Sequence, residues 1–386
     1  MTRLSLDLSL SRQTLPALSA IGLFWGAFAA MIPDIKAGLG MGDAAFGFAM
    51  LAAAVGAVAA MWMAPVADKV LGRATQPLAA LASVLSFVMV GAAGSVPVFT
   101  AAVLCAGAAT GLLDIATNLR IASVEARANR SLMNLNHAGY SVIYGICAAA
   151  VALPREVGVA PVWVFVGVGV IVTAMSVTMW MPAGDADDEG TGSRFWSGFN
   201  TVAVLAGIVT LVGFLAENAT EGWSALHVER TLGGRAAEGA LGPAVLGFTM
   251  GAGRFMGHLL TIRGAEMRVI GVAAVLSATG SLVAAGAHAP WLAYVGFGIL
   301  GLGVSVTAPL ALSLAGRLAP PGRRAITVSR CALLGFLGFF IGPPLMGWMS
   351  AAVGLRAAYV GIALLLLAMP LVLVPLRVAG LKASRP

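Results

Sequence analysis

Charge is scarce in this chain: 10% of its 386 residues are Asp, Glu, Lys or Arg, where ordinary soluble domains carry about 25%. So little polar surface cannot coat a globule of this size, which excludes a water-soluble enzyme or binding module and makes the lipid bilayer the expected solvent. Cysteine is scarcer. Cys105, Cys147 and Cys331 all lie inside apolar runs with no CxxC spacing, so neither a disulfide framework nor a metal site is expected. The glycine-rich run Gly335-Phe-Leu-Gly-Phe-Phe-Ile-Gly lacks the basic residue of a phosphate loop and sits in an apolar stretch, where close helix packing is its better explanation. No nucleophile triad is recognisable and no cofactor is expected.

What the chain does have is apolar length, with 59% hydrophobic residues. A spanning helix needs about 20 mostly apolar residues. Twelve such stretches fit, near 16–36, 45–66, 76–94, 97–118, 131–152, 160–181, 200–221, 241–262, 268–287, 290–314, 325–349 and 356–376. With both termini inside, 18 of the 23 Lys and Arg fall on the inner side and 5 on the outer, the asymmetry that positive-inside topology demands of an even number of spans. The net charge of +7 is thereby a topological signal and does not point to nucleic acid. Trp163, Trp223, Trp291 and Trp348 are expected as anchors at outer interfaces and Trp180 and Trp196 at inner ones, with Trp25 and Trp62 facing the interior.

One polar break divides the chain. Residues 183–198 hold Asp185, Asp187, Asp188 and Glu189 among Gly, Thr and Ser and read as a solvated linker. The expected architecture is therefore an all-α membrane protein of twelve helices in two pseudo-symmetric six-helix bundles, residues 1–182 and 200–386, joined by a cytoplasmic linker at 183–199. The halves echo one another: Gly47-Phe-Ala-Met opens the second span and Gly247-Phe-Thr-Met the eighth, while Arg130 and Arg324 precede the fifth and eleventh. Such repeats surround a central binding site in transporters.

The segment Ala64-Pro-Val-Ala-Asp68-Lys69-Val-Leu-Gly72-Arg73 resembles the loop between helices 2 and 3 of the major facilitator superfamily, with Ala64 where Gly is usual and one extra residue before Gly72. A narrower likeness lies in Leu113-Asp114-Ile-Ala-Thr-Asn118, Asn134-Leu-Asn136-His137-Ala-Gly139, Glu221-Gly-Trp223-Ser and Gly253-Arg254-Phe-Met-Gly257. These are similar to the fucose-permease-like branch, which includes proton-coupled sugar symporters. The resemblance implies a bacterial inner-membrane transporter, and it implies a proton-coupling role for Asp114. The first span has no acid in its interior, so a mechanism using a second acid there is not expected.

The residues support a site on their own terms. A carboxylate in mid-helix costs about 2.5–3.5 kcal/mol on insertion scales, so Asp114 must face a partner or a wet cavity. Asn118 shares its helix face, and Asn136 and His137 enter at similar depth on the next span. The expected coupling residues are Asp114 and His137, with a proton as coupling ion and sodium as the alternative. Asn118, Asn136, Glu217, Arg330, Tyr140 and Trp25 are expected to bind solute, and Asp68, Lys69, Arg73 and Arg254 to act in gating. The competing assignment for Asp114 is a structural pair with Arg120 or Arg127; Glu221, one turn beyond Glu217, reads as a rim charge.

Three functions compete: coupled transport of a small polar, sugar-like solute, proton-driven efflux of amphipathic or cationic compounds, and a transporter-like sensor. Nothing resembles a signalling domain, so the first leads, with a small solute and lipid as partners and a monomer as working unit. Fusions test the topology. Green fluorescent protein inserted after residue 190 is expected to fluoresce, and alkaline phosphatase fused after residue 95 or 158 to be active; the reverse pattern would invert the orientation.

Overall fold

The computed structural model describes residues 3–182, 199–259, 265–320 and 322–383; the expected linker up to residue 198, Trp196 included, lies outside them. Among the described residues there is no strand, and twelve long helices alternate in direction: α1 Leu15–Leu39, α2 Asp43–Leu71, α3 Thr75–Gly91, α4 Val96–Ala128, α5 Met133–Ala150, α6 Pro161–Ser176, α7 Thr201–Leu226, α8 Ala236–Leu259, α9 Glu266–Gly286, α10 Pro290–Leu318, α11 (324–353) and α12 (355–383). The last two run on from one another, parted by Gly354 at φ 83°, a left-handed value that glycine reaches at little cost. A short helix, Arg3–Leu10, precedes α1. The face where the ends of the chain lie is called the terminal face below, and the opposite one the far face.

Local chemistry sets many of the boundaries. Proline stands in the first turn of α1, α4, α6 and α10, where its missing N–H is no loss. The side chain of Asn200 accepts from Ala203 N at 2.9 Å and caps α7, as N-cap residues do. Gly40 closes α1 in the left-handed region, its N–H directed to Ala37 O.

Several helices outrun their apolar cores. α2 continues to Leu71, so Asp68 and Lys69 lie on its last turn and not in a loop. α4 runs ten residues past the expected end at 118, which puts Asn118 and Arg120 inside it. α7 continues beyond 221 to Leu226 and into a π-helical turn, His227–Thr231. Hydropathy marks the stretch that lipid demands, whereas a helix ends where its caps are. Two tryptophans depart from expectation. Trp62 is 75% exposed on the outer surface of the bundle, and Trp223 is 1% exposed, buried against Phe46 at 5.5 Å between ring centroids. Trp163, Trp180, Trp291 and Trp348 are exposed, as interface anchors are.

Glycine brings helices into backbone contact. A Cβ at Gly107 of α4 would stand 2.0 Å from Ala53 O of α2, and one at Gly56 of α2 would stand 2.1 Å from Leu104 O of α4. In the second half, α8 and α10 cross at Gly253 and Gly301. The contacts between halves use the same device: Gly47 of α2 meets Pro343 and Gly347 of α11, and Gly247 of α8 meets Tyr144 and Gly145 of α5. The echo between Gly47 and Gly247 in the sequence is thus a pair of equivalent crossings where the halves touch. Small residues are what let helix backbones approach in lipid.

On the far face the halves are also joined by charge. Asp43, at the start of α2, accepts from Lys36 at 2.6 Å, from Arg230 after α7 at 2.6 Å and from Ser350 of α11 at 2.5 Å. Arg155, just after α5 and fully buried, donates to Asp34 at 2.6 and 3.1 Å and to Glu229 at 2.6 and 3.2 Å. Among the described residues no comparable packing joins α4 to α10. The far face is closed by this clasp.

Two outcomes follow from the packing and the clasp. Gly107→Ala is expected to lose about 1–3 kcal/mol by overpacking and to unfold at lower temperature, while Gly167→Ala, with open space around its Cβ, keeps or raises the midpoint. Removing one partner of a buried ion pair costs on the order of 3 kcal/mol, so Arg155→Gln should shift the population toward an open far face. Faster labelling by a membrane-impermeant maleimide of a cysteine placed at Ala29 would register that shift; unchanged labelling would mean the clasp does not hold the closure.

Candidate functional site

The segment Asp68–Arg73 lies at the terminal-face end of α2. Arg120 of α4, 1% exposed, grips Asp68 with both terminal nitrogens, at 3.0 and 3.2 Å, and also donates to Gly72 O at 3.1 Å and Ala116 O at 2.8 Å. The two-pronged geometry is the strongest form of such a pair. It ties the last turn of α2 to α4 within one half, with Lys69 and Arg73 exposed beside it. It also removes one expected partner of Asp114, since the Arg120 guanidinium is committed to Asp68.

Midway along the bundle, α4, α5, α7 and α8 bring polar side chains together. Asn118, one turn beyond Asp114, is in hydrogen-bonding reach of its carboxylate, and its Oδ1 lies 3.2 Å from His137 Nε2 on α5. Arg254 of α8 donates to Glu217 of α7 at 2.8 Å and to the hydroxyl of Ser141 on α5. It thus bonds within its own half and across to the other. Tyr140, one helical turn before Tyr144, has Glu221, Glu217, Arg254 and Asp114 as its charged neighbours. Of the expected residues, Asp114, Asn118, His137, Tyr140 and Glu217 come together at this centre. So does Arg254, expected at a gate, which instead sits where the halves face each other.

Beside this cluster lies a narrow cavity of about 30 Å³, bordered by Trp25 and Phe28 of α1, Phe46 and Met50 of α2, Tyr144 of α5, and Asn218, Glu221 and Trp223 of α7. Its volume suits water-sized groups. Trp25 borders it as expected, held edge-on against Phe28 and Phe87 at 5.5 and 5.3 Å.

Two expected binding residues are elsewhere. Asn136 is fully buried and used up: its amide donates to Ser11 Oγ at 3.0 Å and Leu132 O at 2.9 Å and accepts from Thr14 at 2.7 Å. It pins the base of α5 to the lead into α1, because it lies one position, about 100° of helix, away from the face that His137 turns to the centre. Arg330 stands over the ring of Phe199 at 5.7 Å, near the Asn200–Thr327 hydrogen bond at the start of α7. Arg330 follows Arg324 by six residues as Asn136 follows Arg130, and the two are matched in place: both brace the terminal-face end of a helix.

Glu221, expected as a rim charge, borders the cavity, as does Trp223, expected as an interface anchor, and Asn218 and Ser141 join the site although their sequence context does not single them out. The i, i+4 spacing of Glu217 and Glu221 is the available signal; the unexpected length of α7 carries Glu221 below the rim. Charge at the centre is lopsided. Three carboxylates, Asp114, Glu217 and Glu221, share one guanidinium, Arg254, whose bond goes to Glu217. Among the described residues no group of three or more His, Cys, Asp or Glu could hold a metal ion.

Comparison with known proteins gives a consistent picture. The sequence profile of the Major Facilitator Superfamily matches residues 14–329 and 223–386. An uncharacterised MFS-type transporter of Yersinia pestis is 27% identical over 352 residues, spanning 90% of each chain. Membrane protein MosC of Rhizobium meliloti is 27% identical over 349 residues, spanning 87% of this chain and 83% of that one. Among solved structures, a bacterial homologue of the human lysosomal transporter Spinster, in an inward-facing and occupied conformation, superposes with a TM-score of 0.71 at 18% identity, over 100% of this chain and 98% of that one. A mutant of the nucleoside transporter NupG gives 0.71 at 14% identity, over 95% and 99%. The match runs the length of a chain folded as two sets of six helices about a polar centre, and the protein belongs to the Major Facilitator Superfamily of membrane transporters.

Proposed function

We propose that this chain is a proton-coupled secondary transporter that carries a small polar solute across the cytoplasmic membrane by alternating access, with both termini in the cytoplasm. The observation that carries the reading is the Arg254 bond to Ser141 in the other half, set among Asp114, His137 and Glu217 where the halves meet. A solute held there contacts both halves, so rocking one against the other changes the side to which it is exposed. The far-face clasp closes the centre off on that side in the described state.

Asp114 is the coupling residue in this reading. Among the described residues it has no cation to hold it charged, only the Asn118 amide, so it takes a proton when the centre is wet from one side and yields it to the other. His137, joined to it through Asn118, is the relay. One charge moved through about 100 mV gains roughly 2.3 kcal/mol, ample for a useful gradient of a neutral solute. The aromatic lining favours, as a second reading, efflux of cationic compounds, but the narrowness of the cavity weighs against bulky amphiphiles.

The test begins with a thermal-shift screen of the purified protein to find a solute, since a ligand of the folded state raises the midpoint by mass action. In proteoliposomes with an imposed proton gradient, Asp114→Asn is expected to reduce uphill accumulation of that solute to a ratio near one while counterflow persists. Accumulation that survives in the variant would remove Asp114 from coupling. Accumulation driven by sodium and indifferent to the proton gradient would replace the coupling ion.

A further inference from the structure

Charge within a lipid-embedded bundle demands a partner, and the carboxylates among the described residues obey with two exceptions. Among the described residues, Asp7, Asp34, Asp43, Asp68, Glu156, Glu217, Glu229, Glu238 and Glu266 each meet a cation, and Glu125 accepts from the N–H groups of Leu132 and Met133. Asp114 and Glu221 meet none. Asp114 is used by the transport reading. Glu221 is not, and it borders the cavity with its nearest guanidinium, Arg254, already bonded to Glu217.

The walls around Glu221 are unlike those around Asp114. They are aromatic, from Trp25, Phe46, Tyr144 and Trp223, and ring faces attract cations. Two of these rings also carry polar atoms with no protein partner: Tyr144 Oη and Trp223 Nε1 are buried and make no hydrogen bond, in residues 2% and 1% exposed. A buried donor left unmatched costs about 1–3 kcal/mol; neither atom opens on the cavity as it stands, so a ligand supplies the match as the walls part to admit it. The indole N–H can only donate and therefore asks for an oxygen acceptor.

We propose that Glu221, within this aromatic enclosure, is a subsite for the protonated amine of the transported solute, and that Trp223 Nε1 and Tyr144 Oη take a hydroxyl on the same molecule. The inference rests on the transport reading and narrows its solute to a small hydroxylated amine. An ammonium group is water-sized and so fits the volume of the cavity. A sodium ion matches less well, since hard cations seek several oxygens, whereas most of the enclosure is ring faces and, among the described residues, its side-chain oxygens come from Glu221, Asn218 and Tyr144.

The test uses the full-length purified protein and matched pairs of probes, ethanolamine against ethylene glycol and glucosamine against glucose, with sodium chloride against potassium chloride as the ion arm. The wild type is expected to unfold at higher temperature with at least one amine and not with its hydroxyl counterpart. Glu221→Gln should weaken the amine's apparent affinity on the order of 10- to 100-fold, as loss of a charge-assisted bond does, and Glu221→Asp should restore part of it. Trp223→Phe, which keeps the ring and deletes the N–H, should weaken a hydroxylated amine more than plain ethylamine. The proposal is overturned if neutral members shift the midpoint as much as amines, if Glu221→Gln keeps the amine shift, if sodium chloride alone shifts it, or if no amine does. Binding of neutral solutes only would leave the transport reading standing and available to the Asp114 test; failure of Asp114→Asn to uncouple would leave the amine subsite standing.

Discussion

The intolerance of the bilayer interior for unpaired charge organises this molecule. Each ion pair in the spans does a specific mechanical job because a charge placed there must be answered from wherever a partner can reach. Arg120 answers Asp68 and locks α2 to α4 within one half. Asp43, Lys36 and Arg230, with Arg155, Asp34 and Glu229, answer one another across the far face and hold the halves shut there. Arg254 answers Glu217 at the centre. Against that background an unanswered carboxylate is conspicuous, and the two among the described residues, Asp114 and Glu221, both lie where a proton or a solute can do the answering.

Glycine supplies the complementary constraint. In lipid, apolar side chains gain little by leaving one helix for another, so close backbone approach decides which helices associate. Gly56 and Gly107 join α2 to α4, and Gly253 and Gly301 join α8 to α10, bringing helices of the same half into backbone contact. Gly47 with Gly347, and Gly145 with Gly247, put the two units in contact along smooth seams. Such seams let backbones slide or part without withdrawing bulky side chains from pockets, while the charged clasp provides the directional grip that glycine cannot.

Much of this is legible in the order of the amino acids. Sparse charge, twelve apolar stretches and the one-sided distribution of Arg and Lys fix an even number of spans, because each is a direct response to lipid thickness and membrane sidedness. The place of Asp114 inside the bundle is legible for the same reason, as is the pairing of Asn118 with His137, which follows from helix periodicity and similar depth. The limits appear one residue away: Asn136 and His137 look equally eligible in sequence, yet 100° of helix rotation sends one to Ser11 and Thr14 and the other to the centre. Trp25 and Trp62 likewise look equivalent, yet one borders the cavity and the other faces outward.

The sequence alone therefore determined the solvent, the number of spans, the duplicated plan and the presence of an acid in mid-helix, since each depends on composition and spacing along a single helix. Only the tertiary structure decided which charges are neutralised. Arg120 was a candidate partner of Asp114 and is held by Asp68, Arg254 was expected at a gate and sits at the centre, and Glu221 was read as a rim charge and borders the cavity. Those choices rest on distances between helices far apart in the chain, and a carboxylate's role in a medium of low dielectric is set by the few ångströms to its nearest cation.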